Sequence, residues 1–425
     1  AQEPIAPALD GLNTGVIRQG DRFIIQGGQL SGDGSNLFHG FERFNVPTGQ
    51  TADFQATPQL QNILGRISGG EPSVIDGTLQ ITGGDPNLFL LNPAGAIFGP
   101  NAQLNVPASF HFSTADQVQF GNDFWNVFDG FLTSAQSFSE LNGLPTGFRF
   151  GSLASVANFG ALAVAPGASL TLMGGTVVNA GSLMAPGGTV TLAAVEPGWV
   201  RLGTMDGILQ LDFEAAAITP EAGLNPLRLP ELLAGAGSDI VPATEIVVDP
   251  TTGFVTLGNT TVESDPGVAI ASGEISASST DGVGGTVNVL GDRVAVAGGT
   301  IRATGATGGG VLQLGGGFQG NGPVWNATLT SVDTASSLDV SATEVGDGGM
   351  AIVWADDSTW FWGDAIARGG PAGGDGGLIE TSGLRFLDVT QGFADTTAIS
   401  GAAGNWLLDP IVLRVVSDAA ANPAD

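Results

Sequence analysis

Asp85-Pro86-Asn87-Leu88-Phe89-Leu90-Leu91-Asn92-Pro93-Ala94-Gly95-Ala96-Ile97-Phe98-Gly99-Pro100-Asn101-Ala102-Gln103-Leu104-Asn105 is the stretch on which the reading of this chain turns. Two short apolar runs, Leu88 to Leu91 and Ala96 to Phe98, alternate with two corners, Asn92-Pro93-Ala94-Gly95 and Gly99-Pro100-Asn101. Proline fixes φ, and Asn and Gly tolerate the left-handed backbone that a tight corner needs. The stretch therefore predicts a strand, a corner and a second strand, each too short to be stable without neighbours.

Outward from it the punctuation repeats. Gly-Gly corners open alternating apolar strands at Gly187-Gly188, Gly284-Gly285, Gly309-Gly310, Gly348-Gly349 and Gly376-Gly377. From Gly285 onward their spacing runs from 25 residues (Gly285 to Gly310) to 39 (Gly310 to Gly349), one coil of a solenoid or one coil with an insertion. Stacked β-sheets would also show short strands and turns, but recurrence of the corners through the second half favours a solenoid. The expected fold is all-β, a right-handed parallel β-helix with an N-terminal cap and extra-helical excursions. At about 4.8 Å per coil, ~15 to 18 coils predict a rod of ~80 Å.

Three regions are expected. Residues 1–200 form the first, with a cap from Val16 to Leu30 and an extra segment, Asp123 to Arg149, rich in Phe and poor in periodicity. Residues 201–244 hold the least β-like sequence, Glu214 to Pro242, and read as an excursion or linker. Residues 245–425 resume the repeat and close with the apolar segment Trp406 to Val416 and a polar tail.

Asp85-Pro86-Asn87-Leu88 and Asn92-Pro93-Ala94-Gly95-Ala96 resemble the Asn-Pro-Asn-Leu and Asn-Pro-Asn-Gly-Ile motifs of the filamentous haemagglutinin family, the exoproteins of two-partner secretion. The sequence departs from those motifs at Asp85, Ala94 and Ala96, keeping Asn, Pro and Gly at the corners. Asn36 to Phe41 with Phe44 to Pro47, Asn62 to Ile67, Ile75 to Leu79 and Phe112 to Asp116 are similar to further family signatures in the family's order. So is Gly348 to Pro410, which resembles a segment of long members. The resemblance implies that residues 1–200 are the secretion domain and that Asn87, Leu88, Asn92, Pro93 and Gly95 belong to its secretion motif. It implies an Omp85-type outer-membrane transporter as partner during export, and a product secreted from, or held at the surface of, a Gram-negative-type bacterium.

Composition narrows the alternatives independently. The chain has 425 residues, 68 of them Gly, with only 12% charged and 42% hydrophobic residues, unlike both a disordered acidic tail and a mixed α/β enzyme. All twelve basic residues are Arg, so helices laced with Glu and Lys pairs are nearly excluded. A formal net charge of −29 makes nucleic acid and anionic lipid poor partners. No apolar run is long enough to span a membrane. Without Cys there are no disulfides or thiolate metal sites. The start Ala1-Gln2-Glu3-Pro4, with no basic and apolar leader, reads as a mature end left by signal cleavage.

Parallel β-helices include polysaccharide-cleaving enzymes, so Asp356-Asp357, or Asp375 near Glu380 with Arg368, are candidate paired carboxylates. Corner chemistry alone also requires Asp and Gly there, and that reading is preferred. His39 reads as structural, and His111, between Phe110 and Phe112, as the outward face of a strand. Gly373 to Gly377 lacks the tandem copies and Asp position of a Ca²⁺-binding β-roll. Trp354, Trp360 and Trp362 could stack on sugars; Trp360 and Trp362 sharing one strand face and Phe361 the other equally suits a buried ladder. No catalytic residue, metal or cofactor is expected.

The function expected is a secreted, non-enzymatic, adhesive or filament-forming β-helical protein. A polysaccharide-acting enzyme and the stalk of a longer toxin-delivery exoprotein are the alternatives. Ile411, Val412, Leu413, Val415 and Val416, strongly β-prone, are the expected contact of subunits stacked head to tail.

Overall fold

The computed structural model of the protein describes residues 3–127, 138–151, 153–202, 209–212, 246–248, 255–257, 260–262 and 266–409. Three sheets wrap one interior, and each turn from the one starting at Asn62–Ile67 to the one starting at Leu378–Gly383 contributes one short strand to each. The turn that starts at Asn87–Leu91 continues through Ala96–Phe98 and Gln103–Asn105 and returns at Phe110–Ser113, hydrogen-bonded in parallel to the strand it started from. Strand and corner therefore fall where the sequence puts them, and the fold is a parallel β-helix.

Eleven strands of the longest sheet, from Asn36–Phe44 to Asn405–Leu408, pair in parallel. That is fewer than the 15 to 18 coils expected and gives about 50 Å of stacking. The difference lies in the chain that leaves the rod: Asp123–Asn126, Gln117–Phe120, Gly147–Phe150, Gly198–Leu202 and Leu209–Asp212 form a separate antiparallel sheet. The segment from Asp123 to Arg149, expected to be poor in periodicity, holds Asp123–Asn126 and all but the last residue of Gly147–Phe150. Alternation is present in Gln117–Phe120 and Gly147–Phe150, but over only four residues each.

Inside the rod, stacked residues form columns. One runs Leu37, Ile63, Leu88, Phe110, Leu170 and Val190, each in register with the next. It continues through Val287, Leu312, Ala351 and Ile379 to Trp406. The outer face of the same sheet is buried too, where Phe38, Leu64, Phe89 and Leu91 pack with Val118, Trp125 and Phe148 of the antiparallel sheet. Burial on both faces explains why Leu88 to Leu91 is a continuous apolar run rather than an alternating one.

The Gly-Gly corners stack as well. The second glycine of each pair sits on the backbone of the one before: a Cβ on Gly310 would collide with Gly285 O, one on Gly349 with Gly310 O, and one on Gly377 with Gly349 O. The same glycines tie two strands of their own turn together, as in Gly310 N–H to Ala303 O (2.7 Å) and Gly349 N–H to Val340 O (2.7 Å). Glycine is required there by close backbone approach, not by an unusual φ.

The hairpin Thr14–Gln19/Arg22–Gly27 closes the N-terminal end, with Phe23 and Ile25 entering the core. Glu214 to Pro242 and the contact residues Ile411, Val412, Leu413, Val415 and Val416 lie outside the described residues.

Candidate functional site

Asn87 opens a strand directly above Asn62, which lies above Asn36. Their amides form a ladder. Asn87 Nδ2 donates to Asn62 Oδ1 (3.0 Å), Asn62 Nδ2 donates to Asn36 Oδ1 (2.7 Å), and Asn87 Oδ1 accepts the Ser109 N–H (3.1 Å). Asn36 and Asn62 are fully buried, so each unmade bond would leave a desolvated polar group. Leu88, next to Asn87, faces the interior and is fully buried.

Asn92 is the pivot of the following corner and is also fully buried. Its Nδ2 donates to Glu71 O (3.0 Å) and to Ser73 Oγ (3.0 Å), while its Oδ1 accepts the Ala94 N–H (2.9 Å). Gly95 N–H donates to Asn92 O (2.9 Å) and closes the turn. Gly95 has φ 94°, and a Cβ there would collide with Ser155 O; both conditions demand glycine. Only the backbone of Ala94 is used in this network, so the corner calls on no side chain there. The structure thus brings the five motif residues into one strand and its corner.

Sequence reasoning missed the residues that hold this region to the rest. Arg66 Nη2 pairs with Asp10 Oδ2 (2.9 Å), Arg66 Nη1 donates to Asn126 O (2.6 Å), and the guanidinium lies 5.5 Å from the Trp125 ring centroid. Asp10 is a single acidic residue in a polar stretch, and no local pattern marks its partner 56 residues away.

The enzyme candidates are occupied by structural bonds. Asp356 Oδ1 accepts from Trp354 Nε1 (2.9 Å) and Asn326 Nδ2 (3.0 Å), and Asp357 pairs with Arg385 (3.3 Å). Asp375 Oδ1 accepts the Ala402 N–H (2.8 Å), and Arg368 pairs with Asp395 (2.6 Å). Glu380 is fully buried and accepts from Gln319 N–H and Ser382 Oγ, both at 3.0 Å. Phe361 enters the interior, while Trp360 lies on the other face against Phe386. His111 points out of the rod as expected, yet lies flat on Phe89 with ring centroids 4.4 Å apart. His39 is fully buried between Phe41 and Phe54.

A family model described as TPS secretion domain matches residues 7–214, the part of the chain that contains the ladder, the corner and the cap. Residues 7–214 are a TPS secretion domain. The structure is similar to that of the HMW1 secretion domain from Haemophilus influenzae, at 21% identity and a TM-score of 0.50, covering 93% of this chain and 97% of that one. This likeness shows the fold. The filamentous hemagglutinin secretion domain aligns at 12% identity, over 95% of this chain and all of that one, with a TM-score of 0.39. No curated protein sequence matches. A TPS secretion domain marks an exoprotein that leaves a Gram-negative bacterium through an Omp85-type partner transporter, as the motifs led us to expect. No helix among the described residues is long and apolar enough to cross a membrane.

Proposed function

We propose that Asn87, Leu88, Asn92, Pro93 and Gly95 serve export while the chain is unfolded, and that the folded product is a non-enzymatic, adhesive or structural rod at the cell surface. One observation carries the first part: in the folded chain Leu88 and Asn92 are sealed in, and the Asn87 and Asn92 amides are bonded within the rod. A transporter that reads these side chains must do so before the coil forms. Recognition by strand addition suits such a segment, because main-chain bonds supply affinity and alternate side chains supply specificity.

The test is the double substitution Asn92→Ala with Pro93→Ala, made in cells carrying the partner transporter. Release into the medium falls well below wild type, and by more than the stability of folded protein accounts for. Wild-type release would assign both residues to the corner alone.

The non-enzymatic reading is supported by Asp356, Asp357, Asp375 and Glu380 each being engaged by neighbouring groups of the rod. Incubating the protein with acidic polysaccharides, with and without Ca²⁺, leaves their length unchanged. Depolymerisation would establish the alternative. The domain limits 1–200, 201–244 and 245–425 belong to the same proposal, as does head-to-tail association through Ile411 to Val416. Among the described residues, Asn405–Leu408, Phe386–Asp388 and Phe393–Asp395 are each paired on one side only, which supports a docking end. Light scattering of the intact chain and of a chain lacking residues 411–425 tests the association; a strictly monomeric intact chain at high concentration ends it.

A further inference from the structure

The first coils are held by a segment that follows them by about a hundred residues. Asn36 Nδ2 donates to both Leu141 O and Gly143 O (2.8 Å each), so the buried asparagine ladder ends on carbonyls of the excursion, whose described residues are 117–127 and 138–150. Asp33 N–H donates to Asn142 Oδ1 (3.0 Å), and Gly143 N–H donates to Ser35 Oγ (3.3 Å). A Cβ on Gly32 would collide with Ser139 O, so the two segments meet backbone to backbone. Phe38 lies against Trp125, Phe138 and Phe120, with ring centroids at 4.9, 5.2 and 5.8 Å. Arg66 adds its bond to Asn126 O.

Take the excursion away and the first three rungs lose three kinds of support together. The outward faces of Phe38, Leu64, Phe89 and Leu91 meet water, the terminal amide of the ladder loses both acceptors, and a buried guanidinium loses a carbonyl. Stacking one coil on the next does not replace any of these, because all of them point outward from the rod.

We propose that residues 117–127 and 138–150 of the excursion are a latch: the strands Asn36–Phe44, Asn62–Ile67 and Asn87–Leu91 reach their folded stability only when these residues dock on them. In a chain emerging N-terminus first, the strand Asn87–Leu91 would stay extended until Phe150 had followed it, about 60 residues later, by counting along the sequence. That consequence rests on the export reading above. The latch itself is a property of the purified chain and stands or falls separately.

Two measurements on the full chain test it. In refolding followed by pulsed hydrogen exchange, amides of Asn62–Ile67 and Asn87–Leu91 gain protection in the same phase as those of Gly147–Phe150. Protection of these rungs in a phase ten times faster than the excursion's overturns the latch. At equilibrium, Trp125→Ala, or the milder Asn142→Ala at an exposed position, speeds exchange in those two strands tenfold or more and leaves Met350–Ala355 unchanged. Faster exchange confined to the excursion itself also overturns it.

Discussion

Asp10 Oδ2 stands 2.9 Å from Arg66 Nη2, with the two side chains only 4% and 6% exposed. The pair joins the segment before the cap to the second coil, and Asp10 Oδ1 also accepts the Leu12 N–H (3.1 Å). Gly40 makes room for it, since a Cβ there would collide with the Asp10 carboxylate. Removing one partner of a buried ion pair strands the other charge, at a cost of about 3–5 kcal/mol. Asp10→Ala should therefore destabilise the chain by that order in denaturant unfolding. The double variant Asp10→Leu with Arg66→Met should recover most of the loss, because no buried charge is left unpaired.

The glycine column makes a sharper contrast. Gly310→Ala drives a methyl group into Gly285 O, a backbone atom that cannot move without disturbing the next rung, and should cost about 3 kcal/mol or more. At Gly282, in a corner loop of the same region, an added methyl group would meet only Ser279 Oγ, at 3.2 Å. Gly282→Ala should stay within about 1 kcal/mol of wild type. Equal losses from the two would contradict the stacked-corner account.

His39 makes acid stability a local matter. Burial lowers its pKa from 6.5 to about 4, and its Nδ1 has only Thr14 Oγ1 within reach, at 3.4 Å. The folded chain holds the ring neutral, whereas the unfolded chain takes up a proton below pH 6.5. Its contribution is thus intact above pH 6.5 and is lost as pH falls from 6.5 toward 4, by about 3 kcal/mol in total. His39→Leu should flatten the stability curve across that window.

Glu380 works in the opposite sense. Burial raises its pKa; hydrogen bonds from the Gln319 N–H and Ser382 hydroxyl pull it down without cancelling that effect, and Asp409 raises it further. Stability from this group is complete below the ordinary carboxylate value and is lost as pH rises through the folded pKa. Glu380→Gln should therefore stabilise the chain at about pH 8 relative to wild type and remove the matching slope. An unchanged slope would place the charge in solvent.

The sequence by itself determined the repeating unit. Asn92-Pro93-Ala94-Gly95 could only be a corner, the Gly-Gly pairs could only be close approaches or turns, and apolar runs of about three to six residues between them had to stack in order to be buried. These are local requirements of backbone conformation and solvation, so they are written in neighbouring residues. The tertiary structure alone decided what covers the rod. Phe89 and Leu91 were legible as apolar, but not as facing Phe148 and Trp125, and Asn36 gave no sign that its amide ends on Leu141 and Gly143. Those contacts join residues tens to a hundred positions apart, and no local pattern names the partner. Any apolar surface could have covered the outer face; register and geometry selected this one.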